Sequence, residues 1–290
     1  MDATLLSLLE HRNPRVILVL GASDTGKTTL IEQLLSAWDP GEPIAVVDCD
    51  VGQSHLGPPT TIGWSLITKP FTGWHGVAVR GVAFIGAVSP EGDLEGFLQA
   101  TGQIVKQARQ RALRFIVDTT GLVNGELGMT LKRRKIELVN PDLIFAIQRD
   151  RELEELLAHI DQRPIERVPA SSLCVRRSLA ERAAYRDRQF ARYFANSTTQ
   201  RLLLNQVKLI GLGPDWRTGE VVLSPAALID RVVGLRNAQG EDLALGLLRE
   251  LDLTTQTLAV FTPLRDVSAV TTVAIGSIQW PSPVTGLEGP

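Results

Sequence analysis

The residues best suited to chemistry lie in GASDTGKTT, Gly21 to Thr29, where Gly21 and Gly26 bracket four residues and Lys27 and Thr28 follow at once. The pattern GxxxxGK[ST] after an apolar run and before a helical one makes a phosphate-holding loop. Its glycines let backbone amides turn inward as an anion nest, and the helix that starts near Lys27 adds its positive dipole end. Lys27 is expected to reach the β and γ phosphates of a nucleotide as a point charge, and the Thr28 hydroxyl to ligate magnesium. Ser23, Asp24, Thr25 and Thr29 complete the set expected along the triphosphate. No NKxD-like segment is present to read guanine, so ATP is the expected donor. The loop alone does not say what receives the phosphate.

A second group stands in VVDCDVGQS, where Asp48 and Asp50 share one side of a strand end, at the edge where open α/β sheets bind ligands. Such carboxylates can hold a magnesium shell or accept the proton of an attacking hydroxyl. The bland alternative is an Asp pair ending a strand in a turn, and the adjacent phosphate loop favours chemistry. A third group is the run Ser178 to Phe194, preceded by Arg176 and Arg177, in which six arginines face only Glu181 and Asp187. Arginine forks suit phosphate oxygens, so this helix reads as a mobile lid over a transferring phosphate. A solvated basic face, or a strip for a nucleic-acid backbone, is the competing reading.

These residues need elements to carry them. RVILVL (Arg15 to Leu20), PIAVVD (Pro43 to Asp48), RFIVD (Arg114 to Asp118) and DLIFAI (Asp142 to Ile147) are continuous apolar runs separated by segments long enough for crossover helices. Such runs predict an α/β fold: a mostly parallel sheet covered by helices on both faces. After Asn196 the pattern changes to short β-like runs, QVKLIGLG, EVVLS, TLAVFTP and VTTVAIGSIQW. The expected organisation is a phosphate-loop domain over 1–199, with its lid helix at about 176–195, and a small β-rich domain over 200–290 ending in a loose tail, PSPVTGLEGP.

With 290 residues, 44% of them hydrophobic, the chain can bury one full core and a smaller one. A net charge of −2 supplies no global positive field, so an anionic partner must be met locally. Cys49 and Cys174 lie far apart and are expected to pack as small hydrophobes in a reducing cytoplasm. No apolar run approaches the length that crosses a bilayer and the start lacks a basic leader, so a soluble, unprocessed protein without a membrane partner is expected.

Five segments in order resemble the polynucleotide 5′-hydroxyl kinase family: GASDTGKTT its phosphate loop with an Asp before xGK[ST], DCDVGQS its D-x-D-x-G-Q segment, and GAVSPEGD (Gly86 to Asp93) its G-x-x-S-P-x-G stretch. DTTGLVNG, Asp118 to Gly125, falls at the family's clasp, and RRSLAERAAYRDRQFARYF at its arginine-bearing lid. The resemblance spans about residues 15 to 196. It implies that Lys27 and Thr28 bind the triphosphate and magnesium, that Asp50 accepts the proton of a nucleic-acid 5′ hydroxyl, and that Arg177 and Arg182 close over the transferring phosphate. It gives Asp48 no assured role. Asp24, Gln53, Thr119, Thr120 and Arg186 fall toward the acceptor. RFIVDTTG also reads as strand plus D-x-x-G, which gives Asp118 a magnesium role, although Asp50 and Asp118 could exchange tasks. Where the family often has a stacking aromatic after the clasp glycine, Leu122 stands, leaving Trp64, Trp74 or His55 as substitutes.

The activity implied is transfer of the ATP γ-phosphate to the 5′-hydroxyl end of RNA or DNA. Two others compete: a nucleotide-bound scaffold of an RNA-processing complex with little turnover, and a kinase for a small metabolite. Oligomeric state, and the choice between RNA and DNA, are not written in the sequence.

Overall fold

A computed structural model describes residues 3–38, 41–160, 163–211 and 225–280. Two compact units emerge, one from residues 1–57, 61–83 and 94–182, the other from 58–60, 84–93 and 183–290. The change of composition near residue 200 coincides with the strand Thr198–Leu203, whereas the packing units divide between Arg182 and Ala183, inside the helix that precedes it.

The first unit opens with α1 (Ala3–Arg12), followed by β1 (Val16–Gly21), α2 (Lys27–Ala37), β2 (Ile44–Asp48), β3 (Thr61–Ile67), β4 (Val79–Phe84), α3 (Leu94–Arg109), β5 (Arg114–Asp118), α4 (Gly125–Val139), β6 (Leu143–Gln148), α5 (Glu154–Leu157) and β7 (Ile165–Pro169). Strands β7, β6, β1, β5 and β2 run parallel in that order, and β3 lies antiparallel on β2. The four apolar runs read from the sequence are the four central strands. They carry side chains such as Leu18, Val46, Ile116 and Phe145 that are buried whichever way they face, which is what helices on both sides of a parallel sheet require. Asp142 ties two of them by accepting the amides of Arg15 and Val16.

Helix α6 (Leu179–Phe194) starts with a reciprocal cap: the Ser178 amide donates to Glu181 Oε2 at 2.7 Å and the Glu181 amide to Ser178 Oγ at 3.2 Å. This S-x-x-E pairing satisfies two amides that the first turn leaves open.

The second unit holds β8 (Thr198–Leu203), β9 (Lys208–Gly211), α7 (Pro225–Leu228), β10 (Arg231–Arg236), β11 (Asp242–Asp252), β12 (Thr257–Thr262) and β13 (Thr272–Gln279). Their order is β9-β13-β10-β11-β12-β8, antiparallel except for the β13–β9 pair. The runs QVKLIGLG, TLAVFTP and VTTVAIGSIQW contain strands β9, β12 and β13, while EVVLS and the PSPVTGLEGP tail lie outside the described residues. Phe190, Phe194 and Trp280 stack together in its core.

GAVSPEGD belongs to this unit. Ser277 donates to the Gly86 carbonyl through its amide and hydroxyl, and Ser89 caps the short turn Pro90–Gly92. Beside it, Asp242, half-buried as a residue but with its side chain covered, accepts the Phe84 amide at 2.7 Å and Arg236 Nε at 2.9 Å. Removing one partner of such a pair strands the other group, so Asp242→Ala is expected to cost about 3 to 5 kcal/mol of stability. Denaturant unfolding should show the midpoint falling with the slope unchanged.

Candidate active site

The phosphate loop joins β1 to α2. Gly26, immediately before the helix, has φ 98°, and Asp24 has φ 57°. A Cβ on Gly21 would stand 2.6 Å from Thr25 Oγ1 and 2.9 Å from the Ile147 carbonyl, so the cradle admits only glycine there. Thr25 Oγ1 donates to the Ala22 carbonyl at 2.9 Å, and the buried Lys27 ammonium donates to the same carbonyl at 2.8 Å. Its charge is held by the loop itself. Thr28 is half-buried and Thr29 exposed at the helix start. Gly121 of DTTG has its own reason: a Cβ there would overlap the backbone and hydroxyl of Ser23.

Asp48 and Asp118 sit opposite one another at the ends of β2 and β5. Asp48 is buried and saturated: Oδ1 takes the Asp50 amide, and Oδ2 takes the amides of His55 (2.6 Å) and Leu56 (3.0 Å) and the Ser54 hydroxyl (3.3 Å). It organises the loop that follows. Burial, then the charge of Asp50, raises its carboxyl above the usual range. Burial and the neighbouring Asp48 likewise raise Asp118, up to about 7, against the opposing pull of Lys27. Asp50 is different. It is half-buried, its Oδ1 accepts the amides of Gly52 and Gln53 at 3.2 and 3.1 Å, and these fix its orientation. Geometry thus separates two carboxylates that look alike in DCD.

Asp24 gathers the arginines. Arg182 Nη2 donates to its Oδ2 at 2.5 Å, the Arg177 amide donates to the same oxygen at 3.1 Å, and Arg177 Nη1 donates to Gln53 Oε1 at 3.0 Å. Gln53 Nε2 reaches the Arg182 carbonyl at 3.4 Å. Four residues singled out from sequence, Asp24, Gln53, Arg177 and Arg182, therefore form one hydrogen-bonded group on the phosphate loop. Arg186 lies one turn further along α6, half-buried, and the bonds that reach Asp24 and Gln53 are not its own.

Thr119 and Thr120 turn their side chains inward. Thr119 donates through Oγ1 to the Val19 carbonyl and through its amide to Asp118 Oδ1, and Lys132 donates to the carbonyl and hydroxyl of Thr120. Among the stand-ins for a stacking aromatic, Trp64 is buried with Nε1 donating to Gln107, while Trp74 packs between Phe71 and His55.

Two contributors escaped sequence reading. Arg149, just past β6, donates to the carbonyls of Asp24, Ser23 and Cys174, tying the phosphate loop to the segment that leads into α6. Its position after a central strand, beside the loop, was the available signal. Lys132 is buried under the DTTG segment, and desolvation, then the charges of Lys135 and Lys27, push its ammonium well below the ordinary lysine range. In KRRKIE nothing distinguishes a buried lysine from an exposed one.

The cradle fits a polyphosphate: two positions where only glycine is tolerated, a helix start, and an ammonium parked on a backbone carbonyl. Among the described residues no cluster of three or more His, Cys, Asp or Glu could hold a metal alone. Thr28 with Asp118 suits a magnesium that brings its remaining ligands as phosphates and water. A parallel sheet with this loop at the end of its central strand defines a P-loop nucleotide-binding protein. Residues 21–196 match the family model described as mRNA cleavage and polyadenylation factor CLP1 P-loop, and the chain belongs to that family.

Among its relatives are polyribonucleotide 5′-hydroxyl-kinases of Pyrococcus furiosus, 27% identical over 94% of this chain and 89% of theirs, and of Thermococcus kodakarensis, 28% identical over 94% and 90%. The fold is shared with a solved structure of a Clp1p–Pcf11p complex, at a TM-score of 0.77 and 15% identity, over 95% of this chain and 78% of that one. Among the described residues no helix is long and apolar enough to cross a membrane.

Proposed function

We propose that this chain is an ATP- and magnesium-dependent polynucleotide 5′-hydroxyl kinase that acts in the cytoplasm on RNA or DNA ends. The observation that carries the reading is the bonded group of Asp24, Gln53, Arg177 and Arg182 on the phosphate loop, beside an oriented Asp50. A binding-only module has no need of cations poised where charge develops in a transition state. Kinship with relatives named as polyribonucleotide 5′-hydroxyl-kinases supports the same acceptor class.

In this reading Lys27 leaves the Ala22 carbonyl for the β and γ phosphates. Arg177 and Arg182 exchange Asp24 and Gln53 for oxygens of the transferring phosphoryl group. The 5′ oxygen of the acceptor forms its bond to the γ phosphorus as the bridge to the β phosphate breaks, and the hydroxyl proton passes to the outer oxygen of Asp50. Thr28 and Asp118 would hold magnesium, which supplies charge neutralisation along the triphosphate when bound. Gln53, Arg186 and the Thr119–Thr120 segment orient the acceptor end.

Incubating the protein with magnesium, γ-labelled ATP and a 5′-hydroxyl RNA oligonucleotide is expected to move label to the RNA 5′ end, and a 5′-phosphorylated oligonucleotide to take none. ATP retained without transfer would indicate the scaffold instead, and transfer to a mononucleoside in preference to the oligonucleotide a metabolite kinase.

A further inference from the structure

Resting on the kinase reading, the geometry points to a second acceptor element: an apolar platform of Leu173, Val175 and Leu179 that holds the bases next to the 5′ end of a single-stranded nucleic acid. These are the three most exposed large hydrophobic side chains among the described residues, at 87%, 81% and 86%, and they fall within seven residues. Isolated exposed leucines need no explanation, but three exposed apolar side chains within one short segment held against the phosphate loop call for one.

The segment is pinned to the phosphate loop from two sides. The Cys174 sulfur lies 3.2 Å from where a Cβ on Gly26 would stand and its carbonyl accepts Arg149, while the Arg177 amide is held by Asp24. Leu173 and Val175, on either side of Cys174, therefore point to solvent from backbone that touches the loop where phosphate is transferred. Leu179 opens the helix that carries Arg182.

Charge selects the occupant. Exposed Arg176, next to Val175, offers a guanidinium fork to an anionic backbone, while the three apolar groups offer faces that any base can cover. A strand of nucleotides presents that alternation of base and phosphate, and contact with base faces rather than edges makes the platform indifferent to sequence.

The test is the triple variant Leu173→Ser, Val175→Ser, Leu179→Ser, compared with wild type by fluorescence anisotropy of a labelled 5′-hydroxyl RNA oligonucleotide. Because the three side chains are solvent-facing, the unfolding midpoint and ATP affinity are expected to hold. RNA affinity is expected to fall about tenfold, the equivalent of about 1.4 kcal/mol. An oligonucleotide with abasic sites at its first three positions is expected to bind both proteins equally. Unchanged RNA affinity in the variant, or an equal loss with the abasic strand, overturns the platform; the first result leaves the patch to a protein partner. Binding is read without turnover, so a wild type that binds RNA but transfers no phosphate refutes the kinase reading and not this one.

Discussion

Arg182→Ala is expected to lower kcat for 5′-phosphoryl transfer about 10³-fold, the scale of arginines that stabilise a phosphoryl transition state. Two neighbouring arginines could serve, and the structure ranks them. Arg182 is 26% exposed and bonded directly to Asp24 through its guanidinium, whereas Arg177 is 49% exposed, reaches Asp24 with its side chain only at 4.0 Å, and spends its fork on Gln53. Arg177→Ala should accordingly cost less in kcat and more in acceptor KM. Lysine at 182 keeps a charge but loses the planar fork, so Arg182→Lys should recover only part of the rate. ATP affinity, set by Lys27 and the loop amides, should change only a few-fold in either variant. A loss confined to the KM for ATP would place Arg182 with the ground-state phosphates and not with the transferring group.

Legibility follows where local chemistry decides the outcome. RVILVL, PIAVVD, RFIVD and DLIFAI could be read as buried parallel strands because a strand covered on both faces cannot alternate, and they form β1, β2, β5 and β6. The polar run from Ser178 to Phe194 could likewise be read as a helix, and it forms α6 from Leu179. Strands β3 and β4 carry no such signature: TIGWSLI and VRGVAF mix glycine, polar and apolar residues, and pairing rather than propensity makes them strands.

The site divides along the same line. GxxxxGKT is legible because every residue type answers to the phosphate, but Asp48 and Asp50 become distinguishable only when hydrogen bonds are counted. Four donors close Asp48, while a half-buried oxygen remains on Asp50. Asp24 could be placed on the loop, toward the acceptor, by resemblance; its grip on Arg182 spans 158 positions of sequence, a distance over which spacing carries no information. Arg149 and Lys132 lay beyond reach for the same cause, since burial is decided by elements brought in from elsewhere.

The remaining large effect separates two acids that sequence left interchangeable. Asp50→Asn preserves an oxygen for the amides of Gly52 and Gln53 and removes only the basic charge, so the loop keeps its shape while turnover falls by about 10² to 10⁴. ATP affinity and the magnesium optimum should stay as in wild type. Asp118→Asn also keeps its local bond, here from the Thr119 amide, yet should act on the metal: more magnesium is needed for half-maximal rate, and added magnesium restores much of it. Protonation supplies an independent readout. In the free protein burial holds the Asp118 carboxyl up to about 7, and a carboxylate that serves a cation must give up its proton on binding. MgATP affinity should therefore strengthen as pH rises through about 7 in wild type and Asp50→Asn, and lose that rise in Asp118→Asn. Calorimetry in buffers of different ionisation enthalpy measures the released proton directly. If Asp50→Asn abolishes the pH-dependent rise and shifts the magnesium requirement while Asp118→Asn lowers turnover alone, the two carboxylates have exchanged tasks and Asp118 is the base.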